Sequence, residues 1–264
     1  MVLGLFAAVS IANASHAWGN YHWARTANPF TIKLGDNVTT VWDTYLQQAS
    51  TDWTASRAPN TQVVAGKGGR TCKATTGQAE VCNAKYGNNG WLGIAQIWVS
   101  GAHITKGIVK MNDTYFSTAT YNKPAWRALV MCQEVGHIFG LGHQDENFTN
   151  PSLGSCMDYT NDPTPNQHPN QHDYDMLETI YAHVDTSTTV GQTTSFFGNR
   201  FGSLSLVSLD LDLSTDDPST WGKEISRSAD GIVSLFEKDL GNGQKIFRHV
   251  FWAEPKEGGH THEE

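Results

Sequence analysis

Apolar residues recur along this chain in two rhythms, one of three to four residues and one of two. In "LGDNVTTVWDTYLQQASTDW", Val38, Val41, Trp42, Tyr45, Leu46 and Ala49 fall on one face of a helix, and Asp36 or Asn37 suits its N-cap. "TQVVAG" (61–66) has the β-branched character of a short strand. Residues 67–90 are rich in Gly, Asn, Lys and Thr and predict a loop or hairpin. "WLGIAQIWVS" (91–100) and "HITKGIVKMN" (103–112) predict two strands joined by a turn at Ser100-Gly101. Pro124 suits the first turn of a helix over 125–139. A polar loop follows, and then "DYDMLETIYAHV" places Met176, Leu177, Ile180, Tyr181 and Val184 at helical spacing. The tandem "PNQHPNQH" (165–172) reads as a Pro-rich loop into that helix rather than a metal site, because Pro disrupts the spacing ligands need. "SLSLVSLDLDLS" alternates almost strictly. The stretch "EISRSADGIVSLFEKDLGNGQKIFRHVFWA" predicts strands around turns at Asp230-Gly231 and Gly241-Asn242-Gly243.

These rhythms predict an α+β chain with a small β module at its C-terminal end, the boundary falling in the Thr-, Ser- and Gly-rich residues 186–202. The expected parts are a leader over 1–17, a main domain over 18–185, a β-rich module over 186–254 and a disordered tail over 255–264. The leader reading rests on a small, apolar stretch from Val2 to Ala14, too short to span a bilayer, followed by Ser15-His16-Ala17. It predicts secretion. A formal net charge of -8 argues against nucleic acid as a partner, since phosphate binding needs clustered Lys and Arg. No segment is long and apolar enough to be a transmembrane helix, and a monomer is expected. Four cysteines in an exported chain predict two disulfides. The local pairs are Cys72 with Cys82 and Cys132 with Cys156.

The chemistry concentrates in "VMCQEVGHIFGLGHQDE" (130–146). On a helix, Gln133 and His137 project from one face, one turn apart, and Glu134 sits beside that face. Gly140 can take a positive φ, stop the helix and return His143 to the same point. Two imidazoles, one further oxygen or nitrogen and a water make a zinc site with an open position. Glu134 is then the expected general base.

The stretch resembles the metzincin superfamily of zinc endopeptidases, closest to matrixin-like bacterial members, over roughly residues 20–185. The family pattern H-E-x-x-H-x-x-G-x-x-H appears as Gln133-Glu134-x-x-His137-x-x-Gly140-x-x-His143, with Gln in the place of the first His. "SCMDYT" supplies Met157 where the family has its Met-turn. Tyr159 lies where some members carry a tyrosine that stabilises the transition state. The resemblance implies a zincin-like domain with a twisted mixed sheet, a zinc helix and a C-terminal helix. It implies zinc as cofactor; calcium is possible, with no residues assignable to it. It also implies a peptide substrate held as an added strand along an edge strand near 91–99. A Cys132–Cys156 bridge would staple the zinc helix to the Met-turn.

Gln133 is the departure. An amide oxygen is a weaker zinc donor than an imidazole nitrogen, although it leaves the ion a stronger Lewis acid. The third ligand is open among Gln133, Tyr159 and Asp145. The expected function is a secreted zinc-dependent endopeptidase. Two other readings stand beside it: a metzincin-fold binding protein without catalysis, and an extracellular interaction protein using its nine tryptophans as a carbohydrate or cell-wall surface.

Overall fold

The computed structural model describes residues 16–148, 150–192 and 216–253. Residues 1–15 of the expected leader, the alternating run 203–214 and the expected tail from 255 lie outside them. The chain is a mixed α+β structure built on one large sheet. Its strands are β1 (His22–Trp23), β2 (Phe30–Asn37), β3 (Pro59–Ala65), β4 (Ala79–Ala84), β5 (Trp91–Ser100), β6 (His103–Asn112), β7 (Lys223–Arg227), β8 (Val233–Gly241) and β9 (Gln244–Trp252). Its helices are α1 (Asp43–Thr54), α2 (Asp113–Phe116), α3 (Pro124–His137) and α4 (Gln171–Ile180). The sheet runs β3-β2-β4-β6-β5-β9-β8-β7, with β1 beside β6. The β2, β3, β4 and β6 ladders are parallel, whereas β5 to β9 pair antiparallel.

β5 and β6 form where their apolar runs predict, with the turn at Gly101 in the left-handed region. β5 is buried along nine residues because it lies between β6 and β9. A strand covered on both faces reads as a continuous apolar run, which is its sequence. The three C-terminal strands do not form a sheet of their own. β9 pairs with β5 from Trp91 to Ser100, so residues 223–252 extend the main sheet. β5 is therefore an internal strand and not the free edge expected for a substrate. The edge on that side is β7, exposed along its length; β3 ends the sheet on the other.

Two strands depart from the expected pattern. Asp36 and Asn37 end β2 rather than capping a helix, and α1 begins only at Asp43, leaving Val41 exposed. β4 lies inside the stretch expected as a loop or hairpin, and it pairs in parallel with β2 and β6. Its Glu80 is buried and accepts bonds from Asn37, Gln78 and the backbone of Lys67 and Gly68. The C-terminal helix forms over Gln171–Ile180 with an Asn170–Asp173 capping box, and the Pro-rich loop leads into it. Val184 lies beyond the helix and is exposed.

Both disulfides form as paired in the sequence, Cys72–Cys82 and Cys132–Cys156. His16 and Ala17, expected at the end of the leader, are part of the packed structure. His16 is buried 2.9 Å from Asp173, and Ala17 bridges to Leu141. No helix among the described residues is long and apolar enough to cross a membrane.

Candidate metal centre

α3 is amphipathic only in part: eleven of its residues are buried, because it lies between the sheet and α1. Its approach to β5 depends on Gly93. A Cβ there would stand 2.5 Å from Val130 Cγ1 and 2.7 Å from Glu134 Oε1. Beneath the helix, Gly136 leaves room for Met157 Sδ and the Trp53 ring, each 2.6 Å from where a Cβ would sit. The helix ends in a turn at Gly140, whose φ of +92 and closeness to the Tyr21 carbonyl exclude a side chain. The carbonyls of the cap and the turn that follows it are met from elsewhere. Trp23 Nε1 donates to Ile138 O (2.8 Å), Tyr181 Oη to Phe139 O (2.8 Å) and Trp18 N to Gly140 O (2.8 Å).

That turn brings His143 back to His137, with 3.1 Å between their Nε2 atoms. A third imidazole completes the group. His249, at the middle of β9, stands opposite Ala95 of β5, and ligand atoms of His137, His143 and His249 all lie within 4.8 Å of one another. His137 Nδ1 donates to Leu141 O (2.8 Å). A carbonyl only accepts, so in the neutral ring the proton is on Nδ1 and Nε2 keeps its lone pair. His249 Nδ1 lies 3.3 Å from Glu134 Oε2, and its Nε2 is buried without a hydrogen bond to any described residue. Both rings are thus oriented by an acceptor on the far nitrogen, as metal-bound imidazoles are.

Burial sets the electrostatics. It holds the His137 and His143 pKa values well below the ordinary imidazole range, with His249 adding to the effect, and takes His249 down to about 3. Neutral imidazole is the form that binds a metal. Burial also raises Glu134 well above the usual carboxylate range, against a backbone hydrogen bond from Ala95. The donor set suits zinc: three nitrogens, closely spaced, with a carboxylate behind one of them.

The residues expected from the sequence fall as follows. His137 and His143 come together, and Glu134 lies beside them, bonded to His249. Gln133 is fully buried on α3, one turn before His137, and neither its oxygen nor its nitrogen has a hydrogen-bond partner among the described residues. Met157 is buried under the helix, and the Cys132–Cys156 bridge joins the helix to it. Tyr159 packs edgewise on His143, ring centroids 4.2 Å apart, and burial raises its phenol pKa so that it stays protonated. Asp145 is turned away to the loop, accepting from Asn147 N (2.8 Å) and from the Asn150 amide, and is outside the histidine group. The residue that sequence reasoning missed is His249. Its one local signal was a histidine within the apolar alternation "IFRHVFW", where a buried polar ring must have a partner. Trp18 was also missed; it stacks on His137 at 5.2 Å with planes 13° apart.

A cavity of about 210 Å³ opens beside the group. It is lined by His143, Tyr159 and His249 on one side and by Ser226, Ser228 and Leu235 of the C-terminal strands on the other. No protein-family model matches the chain, and no curated protein matches it. Among solved structures, it is similar to the crystal structure of myroilysin, at 12% identity and a TM-score of 0.33, over 68% of this chain and 100% of that one.

Proposed function

We propose that the chain is a secreted zinc-dependent endopeptidase of the metzincin kind, with zinc held by His137, His143 and His249. The observation that carries this is the convergence of three neutral imidazoles, two buried and one bordering the cavity, beside a carboxylate. Zinc bound there would supply an acidified water and a polarised substrate carbonyl. Glu134 Oε2 orients His249, while Oε1, packed against Gly93 of β5, would take a proton and return it to the leaving amine. Its raised pKa brings it toward the range a general base needs at neutral pH. Tyr159, protonated and packed on His143, is suited to donate to the oxygen on which charge develops. Since β9 occupies the side of β5, the peptide would lie in the cavity between residues 142–146 and the β7–β8 strands. Two disulfides support a location outside the cytosol.

Two observations favour a second reading, a metal-binding protein without turnover. Glu134 is bonded to His249, and β9 fills the strand position beside β5. Cleavage of a casein-type substrate by zinc-loaded protein, with and without chelator, separates the two. Glu134→Gln at saturating zinc should lower turnover by about 10²–10⁴-fold. Because Glu134 also orients His249, the variant should bind zinc about 10–100-fold more weakly. Zinc-loaded wild type that cleaves no peptide would leave the binding reading.

A further inference from the structure

A second cluster stands apart from the first, where the N-terminal strand meets the end of α4. The parallel pairing of β1 with β6 sets His22 opposite His103, and their rings meet edge-on at 5.2 Å. The segment after α4 brings His183 and Asp185 to the same point. Asp185 Oδ1 lies 3.3 Å from His22 Nε2, 3.3 Å from His103 Nε2 and 3.7 Å from His183 Nε2. His22 Nε2 and His183 Nε2 are 3.1 Å apart.

We propose that His22, His183 and Asp185 form a structural zinc site, which His103 closes from the side of Asp185. Zinc bonds nitrogen and oxygen at about 2.0–2.2 Å, so ligand atoms at the corners of a tetrahedron stand about 3.3–3.6 Å apart. The spacings among His22, His183 and Asp185, 3.1 to 3.7 Å, scatter around that range. His103 is 3.3 Å from Asp185 but is not within 4.8 Å of every other ligand atom, so its partly exposed ring must swing inward to become the fourth ligand. Two imidazole nitrogens and one carboxylate oxygen, completed by a third imidazole, are a zinc donor set.

The surroundings orient the ligands. His22 Nδ1 donates to Asn20 O at 2.7 Å, so in the neutral ring Nε2 carries only its lone pair. That bare nitrogen faces a carboxylate oxygen and a second imidazole nitrogen, an arrangement that a cation relieves. Asp185 Oδ2 is taken by Arg25, from Nη1 at 2.9 Å and from the backbone N at 3.1 Å, which leaves Oδ1 for the histidines. His22 and Asp185 are largely buried, whereas His183 is half exposed and His103 about a third, so an ion has a path in. The site would tie three distant segments together: β1, the start of β6 and the residues after α4. It would also anchor the N-terminal segment whose Trp18 stacks on His137.

The test is a zinc count on the full-length, disulfide-bonded protein, by elemental analysis and by titration of the chelator-treated chain. Wild type should take two zinc ions per chain. The double variant His103→Ala/His183→Ala should take one and lose part of the zinc-dependent rise in Tm. His143→Ala, at the first site, should also keep one. Wild-type stoichiometry in the double variant would overturn the proposal and leave an ionic cluster of histidines around Asp185. So would His143→Ala binding no zinc. Should the double variant fail to fold, His143→Ala decides: one zinc retained supports the site, none removes it. Loss of the first site alone, with the second intact, would count against the peptidase reading and not against this one.

Discussion

Acid should unfold the metal-free protein through the three histidines of the first cluster. In the unfolded chain each imidazole takes a proton near pH 6.5, but in the folded chain burial withholds it, down to about 3 for His249. A depressed imidazole binds fewer protons folded than unfolded. It therefore contributes stability that rises with pH and is lost as pH falls below the unfolded value. Between about pH 6.5 and 5, His249 alone withdraws about 2 kcal/mol. His137, equally buried, acts in the same direction. His143 borders the cavity and counts for less, because solvent screens it. Glu134 acts in the opposite sense. Its raised pKa makes the folded chain bind the extra proton, so it stabilises on acidification and offsets part of the loss. A net loss on the order of 2 kcal/mol over that interval is a large share of a typical domain's stability. Urea unfolding of chelator-treated protein at pH 8, 6.5 and 5 measures it. Zinc-loaded protein should resist until acid displaces the ion and then fall more steeply. A stability that stays flat from pH 8 to 5 without metal would refute the argument, since the rings would then be accessible to protons in the fold.

Replacing Cys132 and Cys156 by Ser should cost about 3.5 kcal/mol, the chain-entropy value for a loop spanning a sequence separation of 24, read as a shift in the urea midpoint. A larger drop in zinc affinity than in stability would show that the bridge also holds the helix against Met157. Gly136→Ala should destabilise by about 1–3 kcal/mol despite the better helix propensity of Ala. Its Cβ would enter the space of Met157 Sδ and the Trp53 ring, and a thermal melt checks this.

The parts legible in the sequence are those that local periodicity or spacing determines. α3 and its glycine turn, the β5–β6 hairpin, α4 and both disulfides follow from residues close along the chain. β2 was hidden because its "GDN" end resembles a helix cap as much as a strand end. β4 was hidden because its buried Glu80 breaks the apolar alternation, and only tertiary partners make that burial tolerable. The place of the C-terminal strands was not legible for a similar reason. Strand pairing between β5 and β9 is set by complementary faces and register, not by any signal within either strand.

The Gln133 departure looks different in this light. A first motif histidine would put two ligands on one helix face, a turn apart, and leave the last strand unconstrained by the metal. Here that position is a buried amide with no hydrogen-bond partner among the described residues, and a histidine on β9 stands at the cluster instead. The change moves one candidate ligand from the helix to the sheet. Assembly of the cluster then requires the β5–β9 pairing in one register, because a slip of one residue would turn His249 to the opposite face. It also requires Gly93, without which Glu134 could not approach His249 across β5. In the proposed site, zinc binding and closure of the C-terminal strands onto the sheet are one linked equilibrium. Whatever stabilises one stabilises the other by the same free energy.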